Sequence, residues 1–185
     1  MSKSVLISVN PEWCELIASG NKTGELRKTK PKLETPFKCY LYCTKPRKSG
    51  DIFLVGGKHP VQGNGKVIGE FMCNEISELY IACDVHDELP SRPREYWLEW
   101  DEEHDIPNEV CLSVKEIMAY LGESYRGYTL HISDLVIYDK PRELSEFKQC
   151  HKCEYYADCY EHEYSCDGVY NLTRPPQSWC YVEVT

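Results

Sequence analysis

The sequence predicts an α+β fold, a small mixed β-barrel with flanking helices, for a chain of 185 residues. About six segments have the length and apolar pattern of β-strands, whereas only two have the apolar spacing and end signals of helices. A chain of this length suits a single domain over residues 1–185. It contains no run of eighteen apolar residues, so no membrane span is predicted. The early polar Ser8 argues against a signal peptide, and a cytoplasmic location is expected.

The first elements follow from short local signals. The apolar run Ser4–Val9 predicts a buried strand. Asn10 is a suitable N-cap, Pro11 suits the first helical position, and Gly20 suits a helix C-terminus. Another helix is predicted over 113–122, where Ser113 and Glu116 form a capping box and Gly122 ends the helix. The charged stretch after Gly20 predicts the second strand, and further strands are predicted at 37–43, 66–73, 128–138 (one long strand or a bent pair) and 175–184.

The charged stretch that follows the first helix carries Lys22, Glu25 and Arg27 within six residues. In an extended segment Glu25 and Arg27 share one face, and Lys22 lies at the turn into the strand. Between positions 20 and 48 there are nine basic and two acidic residues, although the whole chain has a net charge of -9. Such a local field can attract phosphate, because distant charges are screened. The alternative is an exposed, solvated hairpin edge.

Residues 84–109 form an acidic stretch, with ten acidic residues against two arginines and with three prolines. This composition predicts an excursion that packs Trp97 and Trp100 and keeps its acids in water. A cation-binding or protein-binding role is left open, as is a role in mimicking nucleic acid.

The eleven cysteines fall into two groups. An odd number in a chain without a predicted secretory signal argues against a disulfide framework. Scattered among apolar neighbours, and predicted to be small core residues, are Cys14, Cys39, Cys43, Cys73, Cys83, Cys111 and Cys180.

The other four cysteines have the spacing Cys-x2-Cys-x5-Cys-x6-Cys. Four thiolates this close in sequence predict a structural zinc site in a Cys-rich insertion over 148–168, with no open coordination position. His151 or His162 could replace one cysteine, and an iron–sulfur cluster or free thiols are the alternatives. The predicted zinc ligands are Cys150, Cys153, Cys159 and Cys166.

The order of motifs resembles that of the ASCH domain, a relative of PUA-like RNA-binding modules. The resemblance rests on Asn10-Pro11-Glu12-Trp13, a helix, and then Gly20-x-Lys22-x-x-Glu25-x-Arg27. Residues 66–70, 128–132 and 179–183 are similar to later strands of that family, and 174–180 to small phage-associated ASCH-like proteins. The resemblance implies a PUA-like barrel with a cleft, lined by the motif strand, that binds RNA or a nucleotide; DNA and a protein partner are left open.

A nucleotide site needs cations for phosphate, a planar group for stacking and a polar group for a base edge. Lys22, Arg27 and Lys28 supply cations, and Glu25 either reads a base edge or orients Arg27. The predicted nucleic-acid-binding residues are Asn10, Trp13, Lys22, Glu25, Arg27, Lys28, Lys45, Ser178 and Trp179.

Enzymatic members of the family supply the alternative function, a nucleotide-directed hydrolase that uses Lys22 and Glu25. The chain resembles N4-acetylcytidine amidohydrolases in Lys22, whereas Glu25 stands where those enzymes have threonine. Other members are ribonucleases with lysine, tyrosine and serine in the cleft. Lys22 is present, and Ser8, Ser178 and several tyrosines are available, although the motif assigns none of these to the cleft.

Overall fold

The structure, a computed structural model, describes residues 3–45, 52–56, 58–84, 95–150 and 169–184. The chain divides into two compact units. Unit 1 comprises Met1–Ala18, Phe37–Met72 and Asp134–Thr185, and unit 2 comprises Ser19–Pro36 and Cys73–Ser133.

Strands dominate the described residues, and the helices are few and short. The strands are β1 (Ser4–Val9), β2 (Gly24–Arg27), β3 (Phe37–Cys43), β4 (Leu54–Val55), β5 (Val61–Gln62), β6 (Lys66–Cys83), β7 (Tyr96–Trp100), β8 (Arg126–Arg142), β9 (Phe147–Cys150), β10 (Val169–Asn171) and β11 (Trp179–Val184). The helices are α1 (Pro11–Ala18), α2 (Ile106–Glu109) and α3 (Val114–Leu121), with 3-10 turns at Gly122–Ser124 and Leu144–Glu146. Among the described residues, no helix has the length and apolar character needed to cross a membrane.

In unit 1, the strand order is β10-β9-β11-β1-β3, followed by the parts of β6 and β8 that belong to this unit. β1 pairs with β3 in parallel and with β11 antiparallel, so the sheet is mixed. All six residues of β1 are buried, which means that both faces of this strand are covered. The apolar core of this unit contains Leu6, Tyr40, Tyr42, Val67, Phe147, Leu172, Cys180 and Val182.

In unit 2, β7 pairs with the second half of β6, and β2 pairs antiparallel with the first half of β8. The α3 helix begins with the predicted capping box: Ser113 accepts a hydrogen bond from the Glu116 backbone, and the Glu116 side chain accepts one from the Ser113 backbone. The helix packs its buried residues against both α2 and the strands. The core of this unit contains Leu26, Leu79, Leu98, Ile106, Val110, Ile117 and Leu121.

Two strands run through both units and are longer than predicted. β6 continues beyond the predicted end at Cys73, because a buried-exposed alternation resumes at Ser77 after two exposed residues. β8 is a single strand in which Asp134 has a φ of 47°, a left-handed conformation that aspartate tolerates better than most residues. The predicted choice between one long strand and a bent pair is therefore resolved as one strand with a local irregularity.

The mixed α+β class is confirmed, but the prediction of a closed β-barrel is wrong for the described residues. The strand order has two ends, β10 and β2, which do not pair with each other. These strands have only three and four residues, so they offer few backbone groups for the closing ladder that a barrel requires.

The two predicted insertions have different outcomes. The acidic stretch 84–109 contains a strand and a helix, β7 and α2, that its composition did not reveal. The Cys-rich insertion 148–168 lies almost wholly outside the described residues, including Cys153, Cys159 and Cys166. Only the β9 backbone, which ends at Cys150, belongs to the described part.

Candidate functional site

Three charged side chains of the predicted motif form a buried network in unit 2. The Glu25 carboxylate bridges two cations: Oε1 lies 2.8 Å from Arg27 Nη2, and Oε2 lies 3.5 Å from Lys22 Nζ. The exposed fractions are only 4% for Lys22, 7% for Glu25 and 8% for Arg27. The predicted neighbourhood of Glu25 and Arg27 is confirmed, and the carboxylate holds the guanidinium in place.

The backbone of β2 and its neighbours fixes this network. Lys22 Nζ donates a hydrogen bond of 2.8 Å to the Val110 carbonyl, and the Thr23 amide donates one of 3.0 Å to the Glu109 carbonyl. At position 24 a side chain would collide with β8, because a Cβ there would lie 2.7 Å from Thr129 Cγ2. Glycine therefore allows β2 to approach β8 closely enough to pair with it.

The burial of this network changes the acid–base behaviour of its lysine. Removal from water lowers the pKa of Lys22, against the opposing attraction of Glu25. The lysine therefore releases its proton more readily in the folded protein than in the unfolded chain.

Beside this network lie two lysine–tyrosine pairs of unit 2 that we call the basic aromatic face, formed by Lys28, Lys30, Tyr120 and the half-buried Tyr128. Lys28 Nζ lies 5.5 Å from the centre of the Tyr120 ring, and Lys30 Nζ lies 4.9 Å from that of Tyr128. Both lysines are exposed, and the Tyr120 side chain is 40% exposed. Tyr120 also interacts with the Arg27 guanidinium, so the face adjoins the buried network.

The other predicted nucleic-acid-binding residues lie in unit 1, where their described contacts are structural. Asn10 Oδ1 accepts a hydrogen bond of 3.2 Å from Thr44, and Trp13 lies on α1. The Ser178 carbonyl accepts a hydrogen bond from the Ser8 amide, and the Trp179 ring packs edge-on against Tyr181. Lys45 is exposed. The assignment of Asn10, Trp13, Lys45, Ser178 and Trp179 to a binding site stays a prediction.

The sequence did not identify a second polar cluster in unit 2, formed by His104, Glu109 and His131. His104 and Glu109 lie within the acidic 84–109 stretch, and His131 lies in a separate predicted strand. Burial alone would lower the pKa of His104, but hydrogen bonds with Glu75 and Glu109 outweigh it and raise the pKa. Burial lowers the pKa of His131, against the attraction of Glu109.

The first prediction concerns the bridging carboxylate. Replacing Glu25 by glutamine removes the negative charge and leaves two buried cations beside each other. We expect Glu25→Gln to lower the free energy of unfolding by about 3 kcal/mol, the usual scale for breaking a buried ion pair. Urea-induced unfolding, followed by tryptophan fluorescence, measures this. The matched control is Glu34→Gln, since Glu34 is an exposed acid of the same unit; equal stability of the two variants would contradict the role of Glu25.

The second prediction concerns pH. At pH values below the lowered pKa of Lys22, this side chain is protonated in both the folded protein and the unfolded chain. It then adds no pH dependence to the unfolding free energy. Between that value and the ordinary 10.5 the unfolded chain binds more protons, so the contribution of Lys22 to stability rises with pH. The unfolding free energy of the wild type, minus that of Lys22→Met, should therefore rise from neutral pH towards 10.5. A constant or falling difference would show that burial does not lower the pKa of Lys22 in the folded protein.

Comparisons with known proteins show the fold and no more. No protein-family model matches the chain, and no curated protein does. The crystal structure of ASCH from Zymomonas mobilis matches with a TM-score of 0.54 and 18% sequence identity, over 97% of this chain and 87% of that one. A Tyr-to-Phe variant of the same protein matches with the same TM-score and identity, over 98% of this chain and 91% of the variant. The chain has an ASCH-like fold.

Proposed function

We propose that this protein binds single-stranded RNA through the basic aromatic face of unit 2. The observation that carries the proposal is the pairing of two exposed lysines with two tyrosine rings, Lys28 with Tyr120 and Lys30 with Tyr128. RNA is favoured over other anions because the motif Gly20-x-Lys22-x-x-Glu25-x-Arg27 resembles that of ASCH domains, which are related to RNA-binding modules.

The chemistry of this face fits a flexible nucleic-acid strand. Lysine side chains contact phosphates without reading sequence, and tyrosine rings stack on unpaired bases. An exposed Lys32 extends the positive charge along the same segment. Although the chain has a net charge of -9, the local field decides attraction at distances within a Debye length of about 10 Å.

In this proposal Lys22, Glu25 and Arg27 act mainly as a scaffold. Their side chains are almost fully buried and bind each other, so an RNA strand meets little of their surface. Arg27 interacts with Tyr120, so the buried network helps to hold one ring of the basic aromatic face in place. Lys45, Asn10, Trp13, Ser178 and Trp179 are kept as candidate additional contacts from unit 1.

The third prediction tests the face. Lys28→Ala/Lys30→Ala should weaken binding of a short fluorescein-labelled single-stranded RNA by about 20-fold at about 0.1 M salt, measured by fluorescence anisotropy. Because two phosphate contacts are lost, the slope of log K against log salt should become about 1.4 less steep. We choose these residues over Lys22 and Arg27, since changes in the buried network would also destabilise the fold.

The matched control is Lys58→Ala/Lys140→Ala, which removes the same charge from exposed positions of unit 1. This control should bind RNA nearly as well as the wild type does. Equal weakening in both double variants would indicate a general effect of charge, and no binding by the wild type would exclude the proposal. A DNA strand of the same sequence shows whether the sugar matters.

A nucleotide-directed hydrolase that uses Lys22 and Glu25 is the second candidate, and the burial of Lys22 beside Glu25 supports it. A lysine with a lowered pKa is more often neutral, and a neutral amine can act as a base or nucleophile. The RNA recovered from the binding assay should then be shortened by the wild type and left intact by Lys22→Met. An N4-acetylcytidine substrate, analysed for loss of its acetyl group, tests the amidohydrolase form in the same pair of proteins.

We also propose structural zinc at Cys150, Cys153, Cys159 and Cys166. The spacing of the four thiols supports it, and so does the pairing of β9 with β10, in which Val169 lies opposite Cys150. The chain therefore leaves and re-enters the sheet at neighbouring positions, as a compact metal-bound insertion requires.

The fourth prediction tests these zinc ligands. Cys153→Ser should lose one zinc per chain, measured by elemental analysis after removal of free metal, because one thiolate fewer weakens a four-ligand site. Cys83→Ser is the matched control, since Cys83 is a half-buried cysteine outside the cluster. Equal zinc in the two variants would contradict the assignment, and visible absorption by the purified protein would indicate an iron–sulfur cluster.

A further inference from the structure

Two histidines and one glutamate of unit 2 converge although they are distant in sequence. His104 precedes α2, Glu109 ends α2, and His131 lies on β8. His104 Nδ1 lies 3.1 Å from Glu109 Oε1, and His131 Nδ1 lies 2.9 Å from Glu109 Oε2. One candidate ligand atom from each residue fits within a span of 4.8 Å.

The second nitrogen of each imidazole is held by another side chain. His104 Nε2 lies 3.2 Å from Glu75 Oε1, and His131 Nε2 lies 2.8 Å from Ser77 Oγ. Histidines that bind metals usually have this arrangement, in which the far nitrogen is fixed by an oxygen and the near nitrogen is free to coordinate. Here both near nitrogens face the same carboxylate.

One carboxylate serves both histidines. Glu109 Oε1 lies 3.1 Å from His104 Nδ1, and the buried Oε2 lies 2.9 Å from His131 Nδ1. The three side chains therefore converge on one small region of unit 2. The centres of the two imidazole rings lie 4.0 Å apart, so both rings lie beside the same carboxylate.

We propose that His104, Glu109 and His131 bind a divalent transition-metal ion, with zinc as the first candidate. Zinc accepts two imidazole nitrogens and one carboxylate oxygen with bonds of about 2.0–2.2 Å, which places ligand atoms roughly 3.3 Å apart in a tetrahedron. The nitrogen–oxygen separations of 2.9 and 3.1 Å are close to that value, although they run to different oxygens of Glu109. All three ligand atoms lie within 4.8 Å of one another, so binding would draw the two imidazoles closer together.

Three protein ligands leave a fourth coordination position for water or another ligand. The three side chains are partly accessible, with 21% exposure for His104 and Glu109 and 15% for His131, so solvent and ions can reach the site. The backbone of His104 is also held in place, because the Trp100 indole donates a hydrogen bond of 2.9 Å to the His104 carbonyl. The proposal of this site does not rest on the proposed RNA binding or on the proposed zinc site at the cysteines.

The fifth prediction is a difference in bound metal. After equilibration with Zn²⁺ and removal of free ion, the full-length wild type should hold one equivalent more than Glu109→Gln or His104→Gln. Any zinc at the cysteines contributes equally to all of these proteins and cancels in the difference. Glu103→Gln, a change of an exposed acid beside the site, should hold as much zinc as the wild type. The same zinc content in all four proteins would overturn the proposal.

The outer groups give a second measurement. Glu75→Ala should weaken the zinc affinity of this site by about 10- to 100-fold, the usual effect of removing a group that orients a ligand. A competition titration with a fluorescent zinc chelator measures it. Unchanged affinity would argue that Glu75 does not orient a metal-bound histidine.

A measurement on the wild type avoids variants that fail to fold. Zn²⁺ should protect His131 and His104 from modification by diethyl pyrocarbonate, mapped by peptide mass spectrometry. His59, which is exposed in unit 1, should react equally with and without zinc. Equal reactivity of His131 and His104 in both conditions would overturn the site even if the variants cannot be purified.

Discussion

The structure of unit 2 depends on a carboxylate buried between two cations. Transfer of each charge from water costs several kcal/mol, so Lys22, Glu25 and Arg27 can be buried only if they compensate one another. Glu25 contacts both cations, and the Val110 carbonyl accepts the remaining hydrogen bond from Lys22. Such a network adds little stability compared with apolar residues of similar size. Its effect is to restrict the segment around β2 to the arrangement in which every charge has a partner.

This constraint separates two roles that a linear motif cannot distinguish. Charged residues in a motif suggest a role in ligand binding. However, Lys22 is buried and bound to the Glu25 carboxylate and to the Val110 carbonyl, so it offers few hydrogen-bond donors to a phosphate. Accessible cations, among them Lys28 and Lys30, follow soon after β2. The buried network fixes the end of the strand, and the exposed lysines continue from that fixed point beside tyrosine rings. In the motif, the buried charges fix the backbone, and the proposed RNA-binding surface lies in the residues that follow.

The features that were predictable from sequence are those decided by neighbouring residues. The bounds of β1 and β3 match the predicted ones, the capping box of α3 is present, and Glu25 lies beside Arg27. Each of these depends on a pattern within a few residues. The ASCH-like fold also followed from the order of such local motifs.

The features that were missed depend on partners far away in sequence. The extension of β6 is stabilised by pairing with β7, which lies within a stretch that looks only acidic. Among the described residues, the end strands β10 and β2 do not pair with each other, and composition does not encode which strands become neighbours. The cluster of His104, Glu109 and His131 joins a loop, a helix and a strand, and no spacing rule connects residues that are brought together only by folding.

The short helix α2 connects the buried network and the histidine cluster. A helix of four residues cannot persist by its own hydrogen bonds, so tertiary contacts must hold it. Ile106 and Val110 are fully buried, the Glu109 carbonyl accepts from Thr23, and the Val110 carbonyl accepts from Lys22. The side chain of the same Glu109 faces the histidines. An ion bound there would stabilise α2 in the position that the Lys22 network needs, and by linkage an intact network would strengthen binding of the ion.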